Sequence, residues 1–204
     1  MKRTLLGLVL LSACAAGAQV PEPGGQAPAL RQTPPAVQDA RTPPVIPARG
    51  TVQLAFTPWD NAEAMIVAAI RGAKQQILVQ AFSLTSRALA NALISAKRRG
   101  VDVQVMADRE QAFSGEASRI PDLVTAGIPV TLEVRYQSAH NKVMVMDAGT
   151  VDAAVITGSY NWTYAAQYKN AENVLIMRDN PDIVNAYAAN WRRHSADALP
   201  YAAQ

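Results

Sequence analysis

The chain of 204 residues is half hydrophobic, which is enough for one medium-sized domain with its own core. Its net charge of +3 comes from the first fifty residues, because residues 51–204 carry 14 basic and 14 acidic side chains. Overall charge therefore gives no support to nucleic-acid binding. The single cysteine, Cys14, excludes an intramolecular disulfide and a cysteine-based zinc site.

The N-terminus has the layout of a secretory signal peptide over residues 1–18, with a basic start and an apolar run at residues 5–11. That run is shorter than the roughly 20 residues that span a bilayer. It ends in LSAC, which resembles the bacterial lipobox and predicts lipidation at Cys14. A lipid-anchored protein facing the periplasm or the cell exterior would result. Cleavage after Ala18 is the alternative and gives a periplasmic or secreted protein without Cys14.

Residues 19–50 hold eight of the 13 prolines together with Gly, Ala, Gln and Thr. This composition cannot form a core and predicts a disordered tether. Such a tether is semi-rigid and reaches roughly 90 Å. The folded domain is predicted over residues 51–204.

From Thr51 onward, patterns typical of strands and helices follow one another. Strands are predicted for TVQLAFTP, QQILVQAFSL, VDVQVMAD, IPVTLEV, NKVMVMD, DAAVITG and ENVLIMR. Helices are predicted for DNAEAMIVAAIRGAK capped by Asp60, SRALANALISAKRRG capped by Ser86, EASRIPDLVTAG with a break near Pro121, and PDIVNAYAANWRRHS with Pro181 in its first turn. Early alternation followed by a late cluster of strands predicts an α/β fold, with a mixed, mostly parallel sheet sandwiched between helices.

Two pairs of polar residues mark the predicted late strands. His140 and Lys142 are two residues apart at the start of one strand, so they project to the same side. Ser159 and Asn161 share a side at the end of the next strand. If these strands are neighbours, an imidazole, an ammonium, a hydroxyl and an amide converge at one end of the sheet. Each pair alone would suit an ordinary strand start or turn.

The order H-x-K-x4-D and then G-S-x-N resembles the signature of the phospholipase D superfamily. The segments AFSLTS, LISAKRRGVDVQVMAD, HNKVMVMD, TGSYNWTYAAQYKNAENVLI and NWRRH match, in order, its small single-motif members, the bacterial metal-independent endonucleases of the Nuc type. The resemblance covers roughly residues 50–195 and implies the phospholipase D/nuclease fold. One departure is the longer spacing between Asp147 and Gly158, which a longer hairpin turn would absorb.

The resemblance implies catalytic roles at six positions. His140 would attack phosphorus and form a covalent phosphohistidine. Lys142, Asn161 and Ser159 would hold the non-bridging oxygens, and Glu172 would orient the imidazole. Asp147 completes the motif, and the longer spacing to Gly158 leaves its role open. The resemblance implies no metal and no cofactor.

In-line attack on phosphorus needs a nucleophile and a proton donor on opposite sides, so one histidine cannot serve as both. The chain offers only His194 as a second histidine, and a solvated place near the end of a helix explains it better. A second copy of the chain would supply the missing imidazole. The sequence therefore predicts a homodimer with one shared active site.

Three functions remain open. The first is a non-specific endonuclease on DNA, or on RNA, that contacts backbone phosphates. The second is a phospholipase D that hydrolyses membrane phospholipids, close to which the lipid anchor would hold it. The third is a catalytically silent tethered binding module.

Two further groups carry alternatives. The aromatic residues Tyr160, Trp162, Tyr164 and Tyr168 could stack bases or pack inside the protein or an interface. The basic run 97–99 suits a helix C-terminus better than a phosphate site.

Overall fold

A computed structural model describes residues 42–113 and 117–202. The signal peptide, the lipidation at Cys14 and most of the tether predicted from the sequence lie outside these residues. Residues 42–50 contain no helix or strand. They lie against the folded part, where Asn180 Nδ2 donates a hydrogen bond of 3.0 Å to the Pro47 carbonyl oxygen.

One mixed sheet forms the centre of the described residues. Its strands are β1 (Thr51–Thr57), β2 (Gln76–Ala81), β3 (Asp102–Asp108), β4 (Val130–Glu133), β5 (Lys142–Met146), β6 (Ala154–Gly158), β7 (Glu172–Arg178) and β8 (Leu199–Pro200). Their order in the sheet is β1-β7-β6-β5-β2-β3-β4-β8. The predicted mixed sheet between helices is confirmed.

The pairing of the strands corrects one part of that prediction. Only β2–β3 and β3–β4 are parallel, and the other pairings are antiparallel. The expectation of a mostly parallel sheet is wrong because the late strands follow one another without long crossovers. A hairpin joins β5 to β6, and a connection with one short helix joins β6 to β7. A parallel neighbour needs a crossover of about a dozen residues or more, and residues 147–153 between β5 and β6 are too few to form one.

Helices cover the two faces of the sheet unequally. They are α1 (Ala62–Gly72), α2 (Arg87–Arg98), α3 (Arg109–Ala112), α4 (Ile120–Thr125), α5 (Tyr164–Tyr168) and α6 (Pro181–Ser195). The first five contribute side chains to the larger core, on one face. On the other face α6 packs through Val184, Ala188 and Trp191. None of the helices within the described ranges is long and apolar enough to span a membrane.

Helix ends agree with the sequence at most positions. Ser86 caps α2 by accepting a hydrogen bond of 3.2 Å from the Leu89 amide, as predicted. Pro121 lies in the first turn of α4, so it begins that helix rather than interrupting one. The predicted Asp60 cap of α1 is wrong because Asn61 has that role, while the Asp60 carboxylate accepts the Phe56 amide at 2.8 Å.

The topology brings the ends of five strands together at one end of the sheet. Ala81 closes β2 opposite Lys142, which opens β5, and Gly158 closes β6 beside Val174, near the start of β7. Glu172 opens β7 opposite Thr57, the last residue of β1. This "His140 end" of the sheet is where the predicted polar residues must meet, because antiparallel neighbours bring opposite chain termini together.

Asp147 lies at the opposite end of the sheet. It follows β5, five residues after Lys142, whereas His140 precedes that strand. Its buried carboxylate accepts the amides of Lys74 at 2.8 Å, Gln75 at 2.7 Å and Gln76 at 2.9 Å. The structure does not bring Asp147 to the other predicted catalytic residues, and three backbone bonds occupy its side chain. The expected place in the site is thus corrected to an anchor between the α1–β2 loop and the β5–β6 hairpin.

We expect Asp147→Ala to lower the free energy of unfolding by roughly 2–4 kcal/mol, because three partly buried backbone amides lose a charged acceptor. The measurement is urea unfolding followed by circular dichroism. Asp152→Ala is the matched control from the same hairpin, since it removes only the exposed ion pair with Lys74. The control is expected to cost much less, because exposed ion pairs contribute little to stability. Equal losses in both variants would contradict the anchoring role.

Candidate active site

Three loops meet at the His140 end of the sheet. The Phe82 amide donates to the Asn141 carbonyl oxygen at 3.0 Å, which joins the β2–α2 loop to the segment that carries His140. Trp162 joins the same loop to the segment after β6, since its amide donates to the Ser83 oxygen and its oxygen accepts the Thr85 amide at 2.9 Å. Backbone bonds therefore fix the relative positions of the candidate residues.

Gly158 allows the chain to turn into the segment that carries Ser159 and Asn161. Its φ of 154° and its closeness to β7 leave no room for a side chain, because an added Cβ would lie 2.3 Å from the Asn173 carbonyl oxygen. That oxygen also accepts the Ser159 amide at 3.0 Å and the Tyr160 amide at 3.2 Å. The glycine in G-S-x-N is thus required by a close backbone approach.

His140 and Lys142 contact each other directly. Lys142 Nζ lies 2.8 Å from His140 Nδ1 and 2.9 Å from the His140 carbonyl oxygen. Phe82 packs on both, with its ring centroid 4.4 Å from the imidazole centroid and 4.9 Å from Lys142 Nζ. Successive side chains of β5 lie on opposite faces of the sheet, as predicted: Val143 and Val145 belong to the core under α6, on the face away from Lys142. The ring of Phe82 therefore limits the movement of both polar groups.

The contact with Lys142 leaves one nitrogen of the imidazole free. A charged lysine donates its hydrogen to Nδ1, which places the proton of a neutral His140 ring on Nε2. His140 is exposed, and its Nε2 has no hydrogen-bond partner among the described residues. Nε2 is thus the ring atom that an incoming substrate can reach.

Lys142 is only 5 % exposed. Burial lowers the pKa of its ammonium, and the negative charge of Glu172 opposes this by raising it. A lysine charge at the margin of the protein interior is less screened than one in bulk water, so it acts more strongly on a nearby oxyanion.

Ser159 and Glu172 form a second polar group across β6 and β7. Ser159 Oγ donates to Glu172 Oε2 at 2.6 Å and accepts the Asn173 amide at 3.0 Å. Asn170 Nδ2 donates to Glu172 Oε1 at 2.9 Å. Both Glu172 oxygens are therefore occupied, and the predicted contact that would orient His140 is not formed within the described residues.

Asn161 is half-buried at the same end of the sheet, three residues after the end of β6. Its Oδ1 atom is buried and has no hydrogen-bond partner within residues 42–113 and 117–202.

Two of the aromatic residues that could have stacked on a base, Tyr160 and Trp162, are fully buried. Burial raises the pKa of the Tyr160 hydroxyl. These two rings pack in the core and cannot stack on a ligand.

His194 lies elsewhere. Its Nδ1 atom is hydrogen-bonded to Glu133, a buried carboxylate at the end of β4, and its ring packs against Tyr136. No hydrogen bond or ring contact joins it to His140 in the described part of the chain. The predicted solvated position is wrong in detail, because the side chain is mostly buried in an ion-pair contact.

The basic run 97–99 belongs to helix ends, as favoured from the sequence. Lys97 and Arg98 form the last turn of α2. The Arg99 guanidinium donates to the carbonyl oxygens of Ile70 and Arg71 at 3.2 Å each, at the end of α1. These cations lie away from the His140 end of the sheet.

Sequence reasoning missed two residues that support the site. Phe82 lies within a segment that matched the family pattern, but an isolated aromatic residue gave no sign of its contact with His140. Asp108 closes β3, is 5 % exposed, and accepts the amide of Ala139 at 2.8 Å. It therefore holds the residue before His140, a long-range contact that no local pattern shows.

Metal ions in proteins are commonly held by clustered histidine, cysteine, aspartate and glutamate side chains. No set of three or more such residues lies close enough together within the two described ranges. The polar groups that meet at the His140 end are an imidazole, an ammonium, a hydroxyl, an amide and one carboxylate.

Comparisons with known proteins agree with this geometry. The family model described as "Cardiolipin synthase, PLD-like domain" matches residues 66–194. The chain is 33% identical over 156 residues to a protein named phospholipase D from Rickettsia prowazekii (strain Madrid E), covering 76% of this chain and 73% of that protein. It is 36% identical over 134 residues to the mitochondrial cardiolipin hydrolase of Xenopus laevis, covering 66% of this chain and 61% of that protein.

Solved structures show the same fold. A phospholipase D family member, Nuc from Salmonella typhimurium, superposes with a TM-score of 0.70 at 30% identity, covering 76% of this chain and 100% of that chain. NucT from Helicobacter pylori gives a TM-score of 0.66 at 21% identity, covering 75% of this chain and 100% of that chain. The second likeness bears on the fold alone.

The environment of Lys142 leads to a measurable expectation. Its pKa should lie below the ordinary lysine value, and Glu172→Gln should lower it further, because the variant removes the charge that opposes burial. Titration of the lysine ε-methylene signals by NMR measures both. Asp182→Asn, at the start of α6, is the control and should leave the titration unchanged. A higher pKa in Glu172→Gln would refute the assignment of the opposing charge.

Proposed function

The chain belongs to the phospholipase D superfamily and is a hydrolase of phosphodiester bonds, and we propose that it is a metal-independent endonuclease acting on DNA. One observation carries the proposal: His140 is exposed with Nε2 unpartnered among the described residues, while Lys142 lies against its other nitrogen. Ser159 and Asn161 lie at the same end of the sheet. Nucleic-acid backbone is the substrate that the resemblance to small single-motif endonucleases favours.

In the first proposed step, Nε2 of one His140 attacks phosphorus, forming a P–N bond while the bond to the leaving oxygen breaks. The leaving oxygen takes its proton from a second imidazole on the opposite side. Lys142 and the amide of Asn161 neutralise the charge on the non-bridging oxygens, with Ser159 beside them. The attacking Nε2 must be unprotonated, so Lys142 turns from Nδ1 to a phosphate oxygen when substrate binds, and the ring proton moves from Nε2 to the vacated Nδ1.

In the second step, the imidazole that gave its proton takes one from water. The resulting hydroxide attacks phosphorus, the P–N bond breaks, and His140 is restored. Glu172 then has a supporting role: it fixes Ser159 and, by its charge, favours the ammonium form of Lys142. We propose His140, Lys142, Ser159, Asn161 and Glu172 as the site, and exclude Asp147 from direct chemistry.

The second imidazole in this proposal is His140 of another copy of the chain. His194 cannot serve because Glu133 occupies its Nδ1, its ring packs against Tyr136, and no contact joins it to His140 within the described residues. An uncovered apolar sheet face supports association: Val52, Leu54 and Phe56 on β1 are 58%, 57% and 50% exposed. Phe56 is opposite Asn173, which contacts Ser159, so one end of this face lies beside Ser159. A partner seated there would bring a second site close to the first.

Phospholipid is the second candidate substrate. The observation that favours it is the name of the curated relatives, phospholipase D and cardiolipin hydrolase, at 33% and 36% identity. The same histidine chemistry serves either ester, because both substrates present a phosphodiester. A catalytically silent binding module is a third alternative.

We expect the full chain to degrade DNA in an in-gel assay containing EDTA, because the proposed chemistry uses no metal. His140→Ala should lose activity by about 1,000-fold or more, as removal of a nucleophile does elsewhere. A parallel assay measures headgroup release from phospholipid vesicles. Headgroup release without DNA cleavage would reject the nuclease in favour of the lipase. Inactivity in both, with no phosphate trapped on His140, would leave the binding module.

Mixed dimers test the shared site. Wild-type chains are co-refolded with His140→Ala chains in varying proportion, and turnover is measured per total protein. If two copies share one site, activity should fall with the square of the wild-type fraction, because only wild-type pairs have both imidazoles. Arg71→Ala, an exposed change at the end of α1, is the control chain and should leave turnover constant. A linear dependence on the wild-type fraction would reject the shared site.

A further inference from the structure

We propose that the exposed rings of Tyr164 and Tyr168 on α5 form a platform on which one nucleobase of the substrate stacks. The inference rests on the proposed nuclease function and adds a base-contacting subsite to it. The expected ligand is the base of a nucleotide next to the phosphate that His140 attacks. Any base can stack there, because every base has a π-face.

The two tyrosines form one exposed aromatic surface. Their ring centroids are 4.5 Å apart with an interplanar angle of 35°. Tyr164 is 58% exposed and Tyr168 is 55% exposed, although the chain has only 6% aromatic residues. A spacing of four residues puts them on the same side of the helix. Paired rings in solvent beside a reactive site suit a ligand better than a core.

The platform is held firmly in spite of the short helix. Thr57 Oγ1 donates to the Ala166 carbonyl oxygen at 2.7 Å. The Gln167 side chain accepts the Glu63 amide at 2.8 Å and donates to the Asp60 oxygen at 2.9 Å. Thr163 caps the helix through the Ala166 amide at 3.1 Å. The rings are therefore pre-organised, which lowers the entropic cost of binding.

A groove runs beside the rings. Its lining is formed by both tyrosines and by the start of α2 with one residue of α1: Glu63, Thr85, Ser86, Arg87 and Ala88. The backbone links this groove to the site. The amides of Thr85 and Ser86 donate to the Trp162 oxygen, one residue after Asn161. Thr85 also lies three residues after Phe82, which packs on His140.

Charge distinguishes a nucleotide from a cationic lipid headgroup. Arg87 is exposed and has no ion-pair partner in the described ranges, so it can meet a backbone phosphate beside the stacked base. A cationic headgroup such as choline would be repelled by that guanidinium. The one carboxylate of the groove, Glu63, already accepts the Ser86 hydroxyl at 2.5 Å. The groove therefore fits an anionic strand with a flat base.

The test measures binding and cleavage separately. Fluorescein-labelled oligothymidylate is compared with an equally long strand in which abasic sites replace the thymidines, so the phosphate number is unchanged. Binding is measured by anisotropy in EDTA, on full-length protein carrying His140→Ala to prevent cleavage. Tyr164→Ala with Tyr168→Ala should weaken binding of oligothymidylate about 10-fold or more and leave the abasic strand unchanged.

The matched control is Tyr164→Phe with Tyr168→Phe, which keeps both rings and should keep the affinity. The platform would be overturned if the alanine variant lost no affinity, or lost equal affinity for both strands. The same loss of affinity in the phenylalanine variant would also overturn it. A further contrary outcome is that the alanine variant loses binding to phosphatidylcholine vesicles but binds oligothymidylate as before. That outcome would assign the groove to a lipid headgroup. If wild-type protein cleaves no DNA but binds thymidines through the rings, the nuclease proposal fails while the platform stands.

Discussion

The site depends on one buried residue, Trp162. Its indole donates a hydrogen bond of 3.0 Å to the Gln80 carbonyl oxygen, and its own backbone oxygen accepts the amides of Thr85 and Ser86. These bonds tie the segment after β6 to the end of β2 and the start of α2. Since β5 lies between β2 and β6, His140 and Lys142 are held between the two linked segments. Side chains from distant parts of the chain thereby keep one geometry before substrate arrives, which is the condition for electrostatic catalysis.

Local patterns predicted much of this arrangement and failed where tertiary contacts decide. The two-residue period of strands placed His140 with Lys142 and Ser159 with Asn161, and the antiparallel β5–β6 pairing brings the two pairs to one end. Spacing could not show that the Asp147 carboxylate binds the amide of Lys74, because the two residues are 73 positions apart in the chain. It also could not separate buried Trp162 from exposed Tyr164, since both follow a turn and only packing distinguishes them.

The fixed position of Glu172 determines how its charge acts on Lys142. Glu172 is held by Ser159 and Asn170, so its negative charge stays at a set place while Lys142 remains against His140. Burial favours the neutral amine of Lys142 and Glu172 favours the ammonium. A phosphate that approaches Lys142 adds a second negative charge and shifts the balance further toward the ammonium. Substrate and Glu172 therefore act in the same direction on the pKa of Lys142, and both oppose the effect of burial.

The β5–β6 hairpin has a consequence for engineering. Asp147 anchors its base with three backbone bonds, and Val151 near its tip is 91% exposed. A strand length separates this tip from the imidazole and ammonium at the other end of β5. The number of residues between Asp147 and Gly158 can therefore change without moving the side chains of the site. This explains how the longer spacing is tolerated. The tip is accordingly a permissive place to graft an epitope tag or a fluorophore without perturbing turnover.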